Sequence, residues 1–104
     1  MKANSMAPGE AVSSELGFDE FESAARARGF TEVLERKWAA GTVLDTHTHP
    51  FAVEARVVQG ELWLTVGDNT RHLQPGDSFA LDREVKHAER YGSVGATYWV
   101  ARRN

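Results

Sequence analysis

The sequence predicts an all-β domain, a small barrel or sandwich, with one short α-helix ahead of it. Two observations support this fold class. From residue 30 onward, short runs rich in β-branched and aromatic residues alternate with turn signals that recur every 8 to 12 residues. The length of 104 residues, with 41% hydrophobic and 26% charged residues, suits one soluble domain with a modest core.

Two elements are expected before the barrel. Residues 1–16 are mostly small and polar and contain a Pro-Gly pair, which predicts a flexible leader. Residues 17–29 are predicted as a helix, because Phe18, Phe21 and Ala25 fall on one helical face and Gly29 suits a C-terminal cap. Acidic residues at its start and arginines at its end also match the helix dipole.

Residues 30–104 are expected to form a single barrel domain. Its strands are predicted where β-rich runs lie between turns that contain glycine or proline. The six runs are residues 30–38, 55–58, 62–66, 78–81, 87–91 and 96–101. The turn signals between them are Gly41, Gly60, Gly67-Asp68-Asn69, Pro75-Gly76-Asp77 and Gly92.

Composition excludes several classes of function. The sequence contains no cysteine, which excludes disulfides, thiolate zinc sites and cysteine nucleophiles. A net charge of −3 argues against nucleic-acid binding, which needs a concentrated basic surface. No apolar run approaches the ~20 residues of a membrane span. The N-terminal residues lack a hydrophobic signal core, so a cytoplasmic protein is expected.

The strongest chemical signal is the pair His47 and His49. Residues two apart on a strand project from the same face, so both imidazoles are expected to point the same way. Two neutral imidazoles side by side can bind one divalent metal at adjacent coordination positions. Taken alone, a His-x-His pair more often consists of two surface or turn histidines.

The residues around this pair resemble the cupin superfamily of small jelly-roll barrels with an internal metal site. The first cupin motif is Gly, five residues, His-x-His, three or four residues, Glu, six residues, Gly. It is matched by Gly41, His47, His49, Glu54 and Gly60, except that five residues rather than six precede Gly60.

The second cupin motif is Gly, five residues, Pro-x-Gly, two residues, His, three residues, Asn. Gly76 and His87 match its first glycine and its histidine. Asp82, Glu84 and Tyr91 stand where the motif has Pro, Gly and Asn. The resemblance extends over residues 33–100 and leaves the three histidine positions intact.

The resemblance implies a jelly-roll barrel that holds one divalent transition metal (Fe, Ni, Zn, Mn or Cu). The ligands it implies are His47, His49 and His87, together with Glu54 at the position of the motif glutamate. Open coordination positions would then take a small-molecule substrate with dioxygen or water, as in the dioxygenases of this superfamily.

Strand parity leaves the orientation of Glu54 open. If Glu54 faces the interior, Arg56 follows it there. The alternating residues at positions 53, 55 and 57 are more apolar, so a regular strand would bury them and leave Glu54 outside. A bulge near residue 50 would return Glu54 to the cavity. Three histidines with Glu54, and three histidines alone, therefore remain as alternatives.

Five further residues are expected in or beside the pocket. Glu89 and Tyr91 alternate with the third histidine and should share its face, where either can hydrogen-bond a metal-bound ligand. Phe51 and Phe79 are expected at the mouth of the cavity. Arg56 inside the cavity would favour a ligand that carries a carboxylate, because guanidinium pairs with carboxylate through two hydrogen bonds.

Three other positions give expectations about the surface. Trp63 points outward, which fits either a homodimer contact or cover by the N-terminal helix. His72 is expected to be a solvated histidine on the edge of a hairpin. Arg102-Arg103 is expected to be a solvated tail.

These observations predict a metal-binding barrel protein that takes a small-molecule ligand or substrate. Dioxygenase-like turnover is the first hypothesis. The alternatives are a non-catalytic sensor or storage module and a metal-dependent isomerase or lyase, and fold alone does not choose among them.

Overall fold

The structure, a computed structural model, describes residues 14–104 as one helix followed by six strands. The elements are α1 (Ser14–Ala27), β1 (Glu32–Trp38), β2 (Val43–His47), β3 (Ala52–Val66), β4 (Asn69–Leu73), β5 (Ser78–Leu81) and β6 (His87–Arg103). The predicted all-β fold with one short N-terminal helix is confirmed. Residues 1–13 of the predicted leader lie outside the part of the chain that the structure describes. Among residues 14–104, no helix is long and apolar enough to cross a membrane.

The bounds of α1 differ from the prediction at both ends. Residues 14–16 are helical rather than part of a leader, since two of these three residues are good helix formers. The helix ends at Ala27 because Gly29 adopts a left-handed φ of 97°. The amide of Gly29 donates to the carbonyl of Arg26 at 3.0 Å, and that of Phe30 donates to the carbonyl of Ala25 at 3.1 Å. This Schellman cap places Gly29 beyond the last helical residue.

Two pairs of predicted strands are continuous in the structure. Residues 55–58 and 62–66 both belong to β3, and residues 87–91 and 96–101 both belong to β6. Gly60 does not end a strand, because it lies where the register of β3 against β6 shifts, with a φ of 72°. A glycine interpreted as a turn signal therefore accommodates a β-bulge instead.

Strand β6 is the centre of the sheet. It pairs antiparallel with β1 through its second half, with β2 through its first half, and with β3 along most of its length. Strand β3 also pairs with β4 and β5. Strands β2 and β4 were not among the six predicted runs, because both expose most of their residues and show no clear hydrophobic alternation.

The core lies between alternating residues of β3, β4, β5 and β6. Its fully buried members include Val57, Leu62, Leu73 and Tyr91. On β3 the buried set is the one at positions 53, 55 and 57, which is the more apolar of the two sets that parity allowed.

Helix α1 covers the opposite face of β6. The rings of Phe18 and Phe21 pack on Trp99 with centroid separations of 5.6 Å and 5.9 Å. The alternative in which the helix covers Trp63 is therefore wrong. The indole of Trp63 instead stacks on the ring of His72 at 4.5 Å, on the outer face of the β3–β4 hairpin.

Candidate metal centre

Three histidines converge at one end of the barrel. His47 is the last residue of β2 and pairs in register with His87, the first residue of β6, after a shift in the β2–β6 register. His49 follows β2 and packs against both, with ring centroids at 5.1 Å from His47 and 4.8 Å from His87. One ring nitrogen from each residue lies within 4.8 Å of the other two.

Backbone carbonyls fix the tautomers of two of these rings. His47 Nδ1 lies 2.6 Å from the carbonyl oxygen of Asp45, and His87 Nδ1 lies 2.9 Å from that of Val85. A carbonyl oxygen only accepts, so Nδ1 carries the proton in both rings. In the neutral form of each ring, Nε2 then presents a lone pair, which is the arrangement a metal ligand needs.

The Nε2 atom of His87 is the most informative atom of the cluster. His87 is 2% exposed, and its Nε2 is buried without a hydrogen-bond partner among the described residues. A buried polar atom left unpaired costs about 1–3 kcal/mol. A divalent metal bound at Nε2 would satisfy this atom, so the donor set fits a transition metal that favours imidazole.

The environment of His49 keeps its ring neutral. Burial lowers the pKa of His49, and the nearby rings of His87 and His47 lower it further. The ring lies parallel to that of Phe51 at a centroid separation of 4.9 Å, which fixes its plane. A neutral imidazole held in one orientation is ready to bind a cation without first losing a proton.

A buried carboxylate borders the same space. Glu89 is 6% exposed, and its Oε2 lies 3.4 Å from His87 Nε2 and 3.7 Å from His47 Nε2. The hydroxyl of Tyr91 donates a hydrogen bond to the other oxygen, Oε1. Burial raises the pKa of Tyr91, and the neighbouring Tyr98 and Glu89 raise it further, so this hydroxyl keeps its proton.

Glu54, expected as a possible fourth ligand, lies on the outside of the barrel. Its carboxylate pairs with the guanidinium of Arg28 at 2.6 Å, and its side chain is 38% exposed. The apolar residues on either side of it face the core, so no bulge returns Glu54 to the cavity. The ligand set that includes Glu54 is therefore wrong, and the carboxylate beside the histidines comes from β6.

The histidines open into a cavity of about 130 Å³. Its apolar wall is formed by Leu44, Phe51, Val53, Phe79, Leu81 and Val100. The expected pocket residues Phe51, Phe79 and Glu89 line this cavity, and Tyr91 lies behind Glu89.

Arg56 does not line the cavity. It is exposed on the outer face of β3, next to Glu54, for the same reason of strand parity. Two other arginines line the cavity instead, Arg36 of β1 and Arg102 of β6. Arg102 is therefore part of the cavity wall and not of a solvated tail. The sequence signal for Arg36 is its alternation with Leu34 and Trp38, which share its face of β1.

His72 is set apart from the cluster. It is exposed on β4, and its Nε2 lies 2.6 Å from the carboxylate of Glu61. The structure thus places this fourth histidine on the outer surface of the hairpin.

Comparison with known proteins supports the architecture. The family model described as "Cupin domain" matches residues 35–100. The DMSP lyase DddQ from Ruegeria pomeroyi superposes with a TM-score of 0.64 and 25% identity, over 69% of this chain and 37% of that chain. KdgF from Halomonas sp. superposes with a TM-score of 0.59 and 23% identity, over 69% of this chain and 68% of that chain. A RmlC-like cupin from Shewanella frigidimarina gives a TM-score of 0.59 and 23% identity, over 67% and 63% of the two chains. This chain thus spans little more than a third of DddQ. No curated protein matches it in sequence.

Proposed function

The chain belongs to the cupin family, and on that basis we propose that it is a metalloenzyme that acts on a small molecule inside the barrel. His47, His49 and His87 would hold one divalent ion, which would supply Lewis-acid or redox chemistry to a bound substrate. The observation that carries this proposal is the buried Nε2 of His87, which has no hydrogen-bond partner among the described residues although Nδ1 of the same ring is bound to a carbonyl.

Glu89 favours proton transfer as the reaction class. A carboxylate within 3.7 Å of two of the candidate ligand nitrogens, in a cavity with an apolar wall, can accept a proton from a substrate bound next to the histidines. Tyr91 orients this carboxylate by donating to Oε1, which leaves Oε2 directed at the cluster. The proposed reaction is therefore a metal-dependent elimination or isomerisation. DddQ is by its name a lyase, which agrees with this class.

Dioxygenase-like turnover is the second candidate. Three imidazole ligands leave coordination positions open, which dioxygen chemistry at iron requires. The two candidates differ in their need for oxygen and for Glu89, and this difference can be measured.

The metal centre is tested by elemental analysis of protein purified without a metal-affinity column, before and after incubation with Fe(II), Ni(II) and Zn(II). We expect about one equivalent of metal in the wild type, and its loss in the His47→Ala/His49→Ala variant. His72→Ala is the matched control, because it removes a histidine that lies outside the cluster, and it should retain the metal. Absence of metal from every sample would overturn the proposal.

The reaction class is tested by screening small acids, thiols and diketones for turnover with and without oxygen. We expect turnover that persists without oxygen and is lost in Glu89→Gln, while that variant keeps its metal. A strict requirement for oxygen would replace the lyase or isomerase assignment with the dioxygenase. Metal binding without any turnover would favour a non-catalytic binding module.

A further inference from the structure

Two guanidinium groups line the cavity that contains the histidines. Arg36 and Trp38 project from the same face of β1, and the register of β1 against β6 places Arg36 opposite Tyr98. Arg102 projects from the same face of β6 as Tyr98 and Val100, opposite Glu32 of β1. One carboxylate, Glu89, lines the same cavity.

The two arginines differ in their partners. Arg102 forms an ion pair with Glu32 at 3.2 Å, and its guanidinium lies 4.8 Å from the ring centre of Phe51. Arg36 has no carboxylate within ion-pair distance among residues 17–104, whose side chains the structure describes, although it is half-buried. A half-buried cation without a counter-charge is an unbalanced group that an anionic ligand would complete.

Arg36 is also held on a rigid platform. Its guanidinium lies 4.8 Å from the ring centre of Trp38. The indole of Trp38 donates through Nε1 to the hydroxyl of Tyr98 at 3.0 Å, and it stacks on the ring of Tyr91 at 5.5 Å. Because these contacts fix the indole, little side-chain freedom is lost when the guanidinium binds a ligand.

We propose that Arg36 anchors the carboxylate of a small organic acid, whose other end reaches the three histidines. This substrate class rests on the metalloenzyme proposal above. The guanidinium fork matches a carboxylate through two parallel hydrogen bonds, and the wall of Leu44, Val53 and Leu81 accommodates an apolar body. Since a cavity of about 150 Å³ holds a benzene molecule, a cavity of about 130 Å³ suits a ligand of roughly six non-hydrogen atoms.

The role of Arg102 is weaker and different. Its charge is partly balanced by Glu32, and it packs on the ring of Phe51, which in turn stacks on His49. It adds positive potential at that end of the cavity, so it favours an anionic ligand without being the anchor.

The test uses butyrate, 2-oxobutyrate and 2-hydroxybutyrate as probes, with the corresponding amides as neutral isosteres. Binding to the full chain is titrated by NMR, following the indole Nε1–H of Trp38, with the protein loaded with Zn(II) and after treatment with a chelator. We expect the acids to bind at least about tenfold more tightly than the amides, because a hydrogen bond to a charged group is the stronger kind.

Variants assign this selectivity to Arg36. Arg36→Gln should reduce acid binding by about tenfold or more, and Arg36→Lys should retain part of it, since lysine keeps the charge without the planar fork. Arg102→Gln should have a smaller effect, because Glu32 already balances its charge. Arg56→Gln is the matched control on the outer face of β3 and should leave binding unchanged. Unchanged thermal unfolding temperatures would show that each variant is folded.

The possible outcomes separate the two proposals. Equal binding of acids and amides, or acid selectivity that survives Arg36→Gln, overturns the anchor and leaves the metal centre standing. Tighter binding of inorganic phosphate than of any acid overturns the carboxylate assignment. Acid selectivity that depends on Arg36 in a protein that binds no metal supports the anchor and overturns the metalloenzyme.

Discussion

Among the described residues, Glu89 accepts its side-chain hydrogen bond from Tyr91. Its side chain is almost fully buried, and the donor on its far oxygen is the hydroxyl of Tyr91, itself 2% exposed. A carboxylate taken out of water costs several kcal/mol unless hydrogen bonds replace those of the solvent. The two side chains therefore stabilise the fold as a pair, and either one without the other leaves a buried polar group unsatisfied.

Removing the Tyr91 hydroxyl should reveal this coupling. We expect Tyr91→Phe to lower the free energy of unfolding of the metal-free protein by about 1–3 kcal/mol, because it leaves a buried acceptor without its donor. The Glu89→Leu/Tyr91→Phe double variant should lose less than the sum of the two single variants. Urea denaturation of the wild type, the two single variants and the double variant gives the coupling energy. Strictly additive losses of unfolding free energy would show that the two side chains are not coupled.

The two tyrosines should also make the fold sensitive to alkali. Burial is the main cause that raises the pKa of both Tyr91 and Tyr98, so both keep their protons in the folded state. In the unfolded chain both ionise near pH 10. Above that pH the unfolded state binds fewer protons than the folded state, so stability should fall, by up to about 1.4 kcal/mol per pH unit for each tyrosine.

This dependence can be measured directly, because the sequence contains only two tyrosines. Ultraviolet absorbance of tyrosinate during an alkaline titration should rise together with the loss of β-sheet circular dichroism. Ionisation of either tyrosine near pH 10 in a protein that keeps its sheet would contradict the burial argument.

Among the strands, the close approach of β6 to β3 and to β1 depends on two glycines. A Cβ atom added at Gly60 would lie 2.1 Å from the carbonyl oxygen of Gly95, and one added at Gly95 would lie 2.2 Å from that of Trp38. Both glycines also have a φ of 72°. Close backbone approach and left-handed conformation therefore both require glycine at these positions.

Alanine at Gly95 should be far more damaging than alanine at Gly41. Gly41 has a nearly identical φ of 71°, but a Cβ there would meet nothing within 4 Å. We expect Gly41→Ala to cost about 1 kcal/mol from the backbone conformation alone. Gly95→Ala should cost several times more, since the backbone itself must move. Thermal unfolding of both variants makes the comparison, and equal losses would exclude the steric contribution.

Helix α1 stabilises the barrel through its aromatic side chains. Phe18 and Phe21 pack on Trp99, whose side chain is 4% exposed. Because Phe21 is only half-buried, we expect Phe21→Ala to lower the free energy of unfolding by about 1–2 kcal/mol. Glu20→Ala, on the exposed face of the same helix, is the control and should change it little. Urea denaturation of both variants provides the measurement, and equal effects would show that the helix contributes no specific packing.

The sequence predicts the type of most elements better than it predicts their continuity. Alternation at residues 53–57 identified the buried face of β3 from hydrophobicity alone. Gly60 was interpreted as a turn because glycine serves turns and bulges equally well, and only the pairing of β3 with β6 distinguishes the two. Exposed strands such as β2 have no hydrophobic period to detect.

For the molecule as a whole, a bound metal should add to the stability of the folded state. The three histidines come from two segments, one with His47 and His49 and one with His87, that meet only after β2 and β6 have paired, so the unfolded chain has no three-histidine site. A metal at 100 times its dissociation constant then contributes about 2.7 kcal/mol. We expect a chelator to lower the unfolding temperature of the wild type and of His72→Ala, but not that of His47→Ala/His49→Ala. A wild-type unfolding temperature that does not respond to the chelator or to added metal would contradict a folded-state site.

The candidate site was predictable only where residues are close in sequence or carry a motif. The positions of the three histidines follow from motif spacing. The orientation of Glu54 does not, because it depends on strand parity, and a single bulge reverses that parity. Arg36 and Arg102 were missed because alternation shows which face of a strand an arginine lies on but not that this face borders a cavity. Their shared cavity results from the pairing of β1 with β6, which joins residues that are far apart in the chain.

The central position of β6 has a consequence for synthesis. It is translated after all its pairing partners, so β1, β2 and β3 leave the ribosome without the strand that joins them. During this interval the nascent chain carries unpaired strand edges. It also has only two of the three clustered histidines, because His87 is the first residue of β6. Before β6 is synthesised the site lacks one of its three histidines, so we expect any metal to bind after translation.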